Sequence, residues 1–106
     1  MTETQKSEWV VVSEGFRRRI LEDGDKLMLV EFEAAQGCGA PLHQHPHEQI
    51  SYVVSGRMRF TVGDQTTDVA GGESIHIPSN ALHTAVALED SAALDIFSPP
   101  REDFRR

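Results

Sequence analysis

Three histidines and a glutamine occupy every second position of one short stretch of the chain, at His43, His45, His47 and Gln49. In an extended strand alternate side chains point to the same face, so all four would point in one direction. Neutral imidazole nitrogens and an amide oxygen that converge on one point suit a borderline divalent cation such as zinc, nickel, iron or manganese. A further imidazole, His83, follows much later. The pattern predicts a metal site built from two distant segments.

The composition limits the class of protein. A chain of 106 residues, 39% hydrophobic and 25% charged, predicts one globular domain, which we place at residues 8–104 after a flexible segment at 1–7. The net charge of −7 argues against binding to nucleic acid or to an acidic membrane. The single Cys38 fits a reducing cytoplasm, and we find neither a signal peptide nor an apolar run of the roughly 20 residues that span a bilayer.

The elements that must position the histidines look like short strands. β-prone runs recur at intervals of roughly ten residues, with turn residues between them. Asp23-Gly24 is a strong hairpin signal, and Met58, Phe60 and Val62 alternate onto one face. We find no stretch with a helical period. The chain therefore predicts an all-β sandwich or barrel.

The spacing around the histidines resembles the first motif of the cupin superfamily. That motif is matched by Gly37, His43, His45, Gln49 and Gly56, with Gln49 in place of the usual glutamate. A second cupin motif is matched by Gly72, Pro78, Asn80 and His83, with Asn80 where the family usually has glycine.

The resemblance implies a double-stranded β-helix, or jelly-roll, barrel with a short inter-motif loop. It also implies one divalent metal ion, bound at the centre of the barrel by His43, His45, Gln49 and His83. Because cupins carry out many chemistries, the fold alone does not assign a function.

A narrower resemblance involves 45–49 and 95–104, which are similar to the KdgF-type cupins of pectin and alginate breakdown. Those proteins convert 4,5-unsaturated monouronates to the open-chain 4-deoxy-5-keto uronate, with three histidines and a glutamine as metal ligands. The resemblance implies a metal-dependent enzyme of the isomerase type, with a sugar acid as its small-molecule partner. It assigns catalysis to Asp95 and Arg101, and substrate binding to Phe97 and Arg101.

The residues themselves leave alternatives open at these positions. Asp95 is either an exposed charge or a cavity acid that exchanges protons with substrate. Arg101 either pairs with a neighbouring acid, Glu102 or Asp103, or clamps the carboxylate of a uronate. On the opposite face of the same strand, Leu94 and Ile96 are expected to pack in the core.

Three further features have two interpretations each. His47 reads as a rim histidine beside the metal rather than a ligand, and His76 as either an ordinary strand residue or a pocket-lining one. Residues 17–19, three consecutive arginines, read as a solvated strand edge from which one could face the pocket mouth. The apolar run 9–12 is a plausible edge for a homodimer.

Two other functions fit the same ligands. One is an iron or manganese cupin dioxygenase, which would consume oxygen. The other is a non-catalytic module that binds a sugar acid or a metal. Turnover of an unsaturated uronate separates the enzyme that we favour from both.

Overall fold

The structure is a computed structural model that describes residues 8–105, so the flexible segment expected at 1–7 lies outside the described residues. Within that range the chain forms strands and one short 3-10 helix. The elements are β1 (Val10–Ser13), β2 (Phe16–Asp23), β3 (Met28–Ala34), β4 (Gly39–His43), β5 (Glu48–Ser55), β6 (Arg57–Val62), β7 (Gln65–Ala70), β8 (Ser74–Ile77), β9 (His83–Ala87), β10 (Ser91–Ser98) and the 3-10 helix Glu102–Phe104.

Two antiparallel sheets form a jelly roll, which confirms the predicted all-β class. The larger sheet has the order β1-β2-β3-β10-β5-β8, and the smaller has the order β4-β9-β6-β7. The largest buried cluster draws on both sheets and consists of Val53, Met58, Phe60, Val69, Ile77 and Ala93. No helix within residues 8–105 has the length and apolar character needed to cross a membrane.

The local sequence signals account for much of this order. β2 ends at Asp23, and the Gly24 N–H donates to the Leu27 carbonyl at 2.8 Å, so the Asp-Gly hairpin forms as predicted. In β6 the alternating Met58 and Phe60 side chains are both buried between the sheets. The period of two therefore assigned the inner face of β6 correctly.

The two faces of strand β10 are the opposite of those that the sequence predicts. Leu94 and Ile96 were predicted to be core residues, but Leu94 is half-buried and Ile96 is 39% exposed, on the outer face. The inner face carries Asp95 and Phe97 instead, which are 8% and 1% exposed. The prediction was wrong because this part of the interior holds a cavity with polar groups, so hydrophobicity alone selects the wrong face.

β1 lies at the edge of the larger sheet and pairs only with β2 within the described chain. Its Val11 and Val12 side chains are exposed. An exposed apolar edge strand favours association with another chain. The homodimer that the sequence predicts through this edge stays a prediction.

The turn between β5 and β6 gives a test of how tightly the barrel end is packed. Gly56 has a φ of +83°, and an added Cβ would collide with the backbone carbonyl of Asp90 and the side chain of Ser91. We expect Gly56→Ala to lower the free energy of unfolding, measured by urea denaturation, by about 2–4 kcal/mol.

Gly72 is the matched control. Its φ is +90°, but nothing lies within 4 Å of an added Cβ. Gly72→Ala should therefore show only the conformational penalty of about 1–2 kcal/mol. Equal losses in the two variants would contradict the close packing inferred at Gly56.

Candidate metal centre

The predicted ligands lie on three different elements and one connection. The single extended strand expected through 43–49 is interrupted, because β4 ends at His43 and β5 begins at Glu48. His43 pairs with His83 across β4 and β9, His45 lies in the connection, and Gln49 lies in β5. Three of them, His45, Gln49 and His83, are buried.

Despite the interruption, the side chains converge. The candidate ligand atoms of His43, His45 and His83 all lie within 4.8 Å of one another. The ring centroids of His43 and His83 are 4.1 Å apart, and those of His45 and His83 are 5.0 Å apart. The Oε1 atom of Gln49 lies 3.1 Å from Nε2 of His45. The structure therefore brings the four predicted side chains to one place.

Backbone carbonyls fix the orientation of each clustered imidazole. Nδ1 lies 2.7, 3.0 and 2.8 Å from a carbonyl oxygen two residues away for His43, His45 and His83, respectively. Because a carbonyl can only accept, each neutral ring donates from Nδ1 and keeps its lone pair on Nε2. Such hydrogen bonds commonly orient histidines that bind metals.

Both buried imidazoles are held in the neutral form. Burial is the main cause that lowers the pKa of His45 to about 4, and the charge of Arg101 adds to it. Burial likewise lowers the pKa of His83. The Nε2 atom of His83 is buried without a hydrogen-bond partner among the described residues. A lone pair is therefore available on both rings near neutral pH.

The contact between His45 and Gln49 joins two acceptors. The Gln49 amide donates from Nε2 to Ser51 Oγ at 2.9 Å and to Asp95 Oδ2 at 3.0 Å, which turns Oε1 toward His45. Two facing lone pairs at 3.1 Å repel each other, whereas a cation beside them would satisfy both. Together with the orphaned Nε2 of His83, this arrangement fits a divalent ion bound by three imidazoles and one amide oxygen.

The other two histidines do not join the cluster. His47 is half-buried and packs edge-on against the rings of His45 and Phe97, as the rim interpretation predicts. Burial lowers its pKa, followed by the charge of Arg101. His76 lies on the outer face, with its Nε2 2.6 Å from a Glu48 carboxylate oxygen, so it is an ordinary strand residue.

The second motif contains a position where a departure from the family pattern has a visible reason. Asn80 has a φ of +64°, in the left-handed region that favours glycine. Asparagine tolerates this region better than most residues. Its N–H donates to the His45 carbonyl at 2.8 Å, which ties the turn before β9 to the ligand connection.

Asp95 is a buried acid on the inner face of β10. It lies beside Val30 on one side and Ser51 on the other, in register across the sheet. Burial raises its pKa to about 7, against the opposing effects of the Ser51 hydrogen bond and the Arg101 charge. A carboxyl group with such a pKa can both give and take a proton near neutral pH.

Arg101 pairs with Asp103, which is one of the two arrangements that the sequence left open; the carboxylate clamp stays a prediction. Its Nε and Nη2 donate to the two Asp103 carboxylate oxygens at 3.0 and 2.8 Å. Its guanidinium also stacks on Phe97 and on Phe104, 4.9 and 4.2 Å from the ring centroids. Its side chain is 11% exposed and that of Asp103 is 60% exposed, so the ion pair joins a largely buried cation to a carboxylate at the surface.

A cavity of about 250 Å³ adjoins these groups. This is slightly below the roughly 300–1,000 Å³ of pockets for drug-sized ligands, so it suits a molecule the size of a monosaccharide. Its polar lining consists of Arg18, His43, Gln49, His83, Ser91, Asp95 and Arg101, and most of the remaining wall is apolar.

Among the lining residues that were not assigned from the sequence are Arg18 and Phe104. Arg18 was one of three consecutive arginines, of which one was expected to be able to face the pocket mouth. Phe104 had no assigned role. The signal for Arg18 was its alternation with Phe16, because both residues lie on the inner face of β2. Phe104 carried no such signal, since it follows the last strand.

Comparisons with known proteins agree with this arrangement. A family model described as a cupin domain, Cupin_2, matches residues 28–97. The pectin degradation protein KdgF of Dickeya dadantii (strain 3937) is 33% identical over 98 residues, which cover 91% of this chain and 89% of that protein.

Solved structures give the same result. The structure of KdgF from Halomonas sp. has a TM-score of 0.86 and 36% identity, covering 91% of this chain and 89% of that one. An RmlC-like cupin from Shewanella frigidimarina NCIMB 400 has a TM-score of 0.87 and 33% identity, covering 92% and 88%. The chain therefore belongs to the cupin family, and within it is a small cupin that resembles KdgF.

Proposed function

We propose that this protein is a metal-dependent enzyme that converts 4,5-unsaturated monouronates from pectin or alginate to the linear 4-deoxy-5-keto uronate. The observation that carries the proposal is the Gln49 amide, which faces the histidine cluster with its oxygen and donates to the buried Asp95 with its nitrogen. The similarity to KdgF, a pectin degradation protein, supports the choice of substrate. The single Cys38 favours a cytoplasmic location.

The metal would be held by His43, His45, Gln49 and His83. These ligands are neutral, so a divalent ion bound there would keep its full charge and supply a Lewis acid for a substrate oxygen. Zinc, nickel, iron and manganese all suit this donor set. Catalysis needs no redox change, because substrate and product are isomers.

Asp95 is the proposed acid and base. Ring opening breaks the bond between C1 and the ring oxygen; the C1 hydroxyl loses a proton, the former ring oxygen gains one, and an aldehyde and a C5 enol result. The enol then becomes a ketone when C4 gains a proton and the enol hydroxyl loses one. A single carboxyl group with a pKa of about 7 can take a proton in one step and return it in another.

Arg101 and Phe97 are the proposed substrate-binding residues. Asp103 occupies the Nε edge of the Arg101 guanidinium, so the remaining N–H groups can donate to the substrate carboxylate. The Phe97 ring, which is 1% exposed, forms a flat wall beside the histidines. Together Arg101 and Phe97 would orient the sugar ring of the substrate above Asp95.

One observation favours a different function. Apolar side chains such as Phe16, Phe32 and Phe60 make up much of the cavity wall, which also suits an apolar substrate of an iron or manganese dioxygenase. Iron-dependent oxygen consumption without uronate turnover would support that alternative. Tight binding of a sugar acid without either activity would instead support a non-catalytic module.

The metal site makes the first prediction. His83→Ala removes one imidazole from the cluster, and we expect the affinity for a divalent ion to fall by at least about 100-fold. The measurement is the metal content after dialysis, with elemental analysis. His76→Ala, on the outer face, is the control and should keep the metal. Equal metal content in both variants would rule out His83 as a ligand.

Asp95 makes the second prediction. Asp95→Asn keeps an acceptor for the Gln49 amide but cannot exchange protons, so kcat should fall by about 10²- to 10⁴-fold while metal content is unchanged. Turnover is followed by the loss of absorbance of the unsaturated bond. Asp68→Asn, at an exposed ion pair with Arg59, is the control and should leave turnover intact.

The raised pKa of Asp95 makes the third prediction, in metal-free protein. Between about pH 4 and 7 the folded state keeps a proton that the unfolded state has lost, so this group lowers stability as the pH rises. We expect Asp95→Asn to become more stable relative to wild type by about 2–3 kcal/mol from pH 5 to pH 8. Urea unfolding at both values measures this, and a difference that does not change with pH would contradict it.

A further inference from the structure

Strand β2 places one cation on the inner face of the larger sheet. Phe16 and Ile20 point inward and pack in buried clusters, and Arg18 lies between them on the same face. Its neighbours Arg17 and Arg19 point outward, where they form ion pairs with Glu33 and Glu31. A period of two calls for an apolar residue at 18, so Arg18 places a charged group where the pattern predicts an apolar one.

The Arg18 guanidinium lies at the cavity, close to that of Arg101. Its central carbon is 3.9 Å from the centroid of the Phe104 ring, and that of Arg101 is 4.2 Å from the same centroid. The two cations are therefore within about 8 Å of each other. Both arginines line the same cavity, so a carboxylate bound there can accept charge-assisted hydrogen bonds from them.

The register places Arg18 at a suitable distance from the proposed acid. Arg18 pairs with Phe32, Phe32 pairs with Ala93, and Asp95 is the next inward residue of β10. Two strand spacings and one two-residue step separate the Arg18 and Asp95 backbones by about 12 Å. A molecule that fills the 250 Å³ cavity could therefore touch both side chains.

We propose that Arg18 is a specificity-determining residue, which together with Arg101 makes the cavity selective for ligands that carry a carboxylate. This inference rests on the proposed function for the identity of the substrate.

The test compares an acid with its uncharged ester on the metal-loaded protein. Calorimetry measures binding of galacturonate and of its methyl ester to wild type, Arg18→Gln, Arg18→Lys and Arg17→Gln. We expect wild type to prefer the acid by about 10- to 100-fold. Arg18→Gln should lose most of that preference, and Arg18→Lys should recover part of it, because it keeps the charge but not the fork.

Arg17→Gln is the matched control, since Arg17 is on the same strand but on the outer face. It should keep the acid preference. A merely structural role for Arg18 would weaken acid and ester binding equally, which would overturn the inference. If Arg18→Gln does not fold, the acid preference of wild type and of Arg18→Lys tests the inference instead. Absence of any acid preference in wild type also overturns the inference.

Turnover of the unsaturated monouronate separates this inference from the proposed function. An Arg18-dependent preference for galacturonate without turnover would support the role of Arg18 and reject the enzyme. Turnover with an unchanged acid preference in Arg18→Gln would support the enzyme and reject the role of Arg18.

Discussion

The site depends on the direction in which each imidazole points its lone pair. Three backbone carbonyls accept from Nδ1 of His43, His45 and His83, and so direct the three Nε2 atoms toward one another. Without a cation, this geometry places lone pairs together in a buried space, which is unfavourable. The fold tolerates the arrangement because the register between β4 and β9, together with the turn at Asn80, fixes the backbone.

Gln49 connects the histidine cluster to the buried polar groups on the other side of the cavity. An amide has an acceptor at one atom and donors at the other, so it can face the histidines and still donate to Ser51 and Asp95. A glutamate, the usual residue of the motif, could only accept when ionised, and it would bring a second negative charge next to Asp95. The substitution therefore accompanies the buried acid on the neighbouring strand.

The sequence was sufficient wherever spacing along one segment decided the outcome. The convergence of His43, His45 and Gln49 follows from the motif, whereas His47, which shares their two-residue spacing, stays outside the cluster because the strand is interrupted. The sequence was not sufficient where packing against the other sheet determines which face of a strand is buried. Ile96 is more hydrophobic than Asp95, yet the smaller sheet encloses a cavity against the Asp95 face. Only the tertiary arrangement reveals such an inversion.

The interior combines an apolar cluster between the two sheets with a group of polar side chains at one end of the cavity. The buried cluster around Val53, Met58 and Ile77 joins the two sheets, whereas the histidines lie near the start of β5 and the ends of β4 and β10. Burying polar groups costs free energy unless they are paired, and the apolar cluster offsets that cost. Met58, Phe60 and Ala93 belong to this cluster and also line the cavity, so the core that joins the two sheets forms part of the wall of the site.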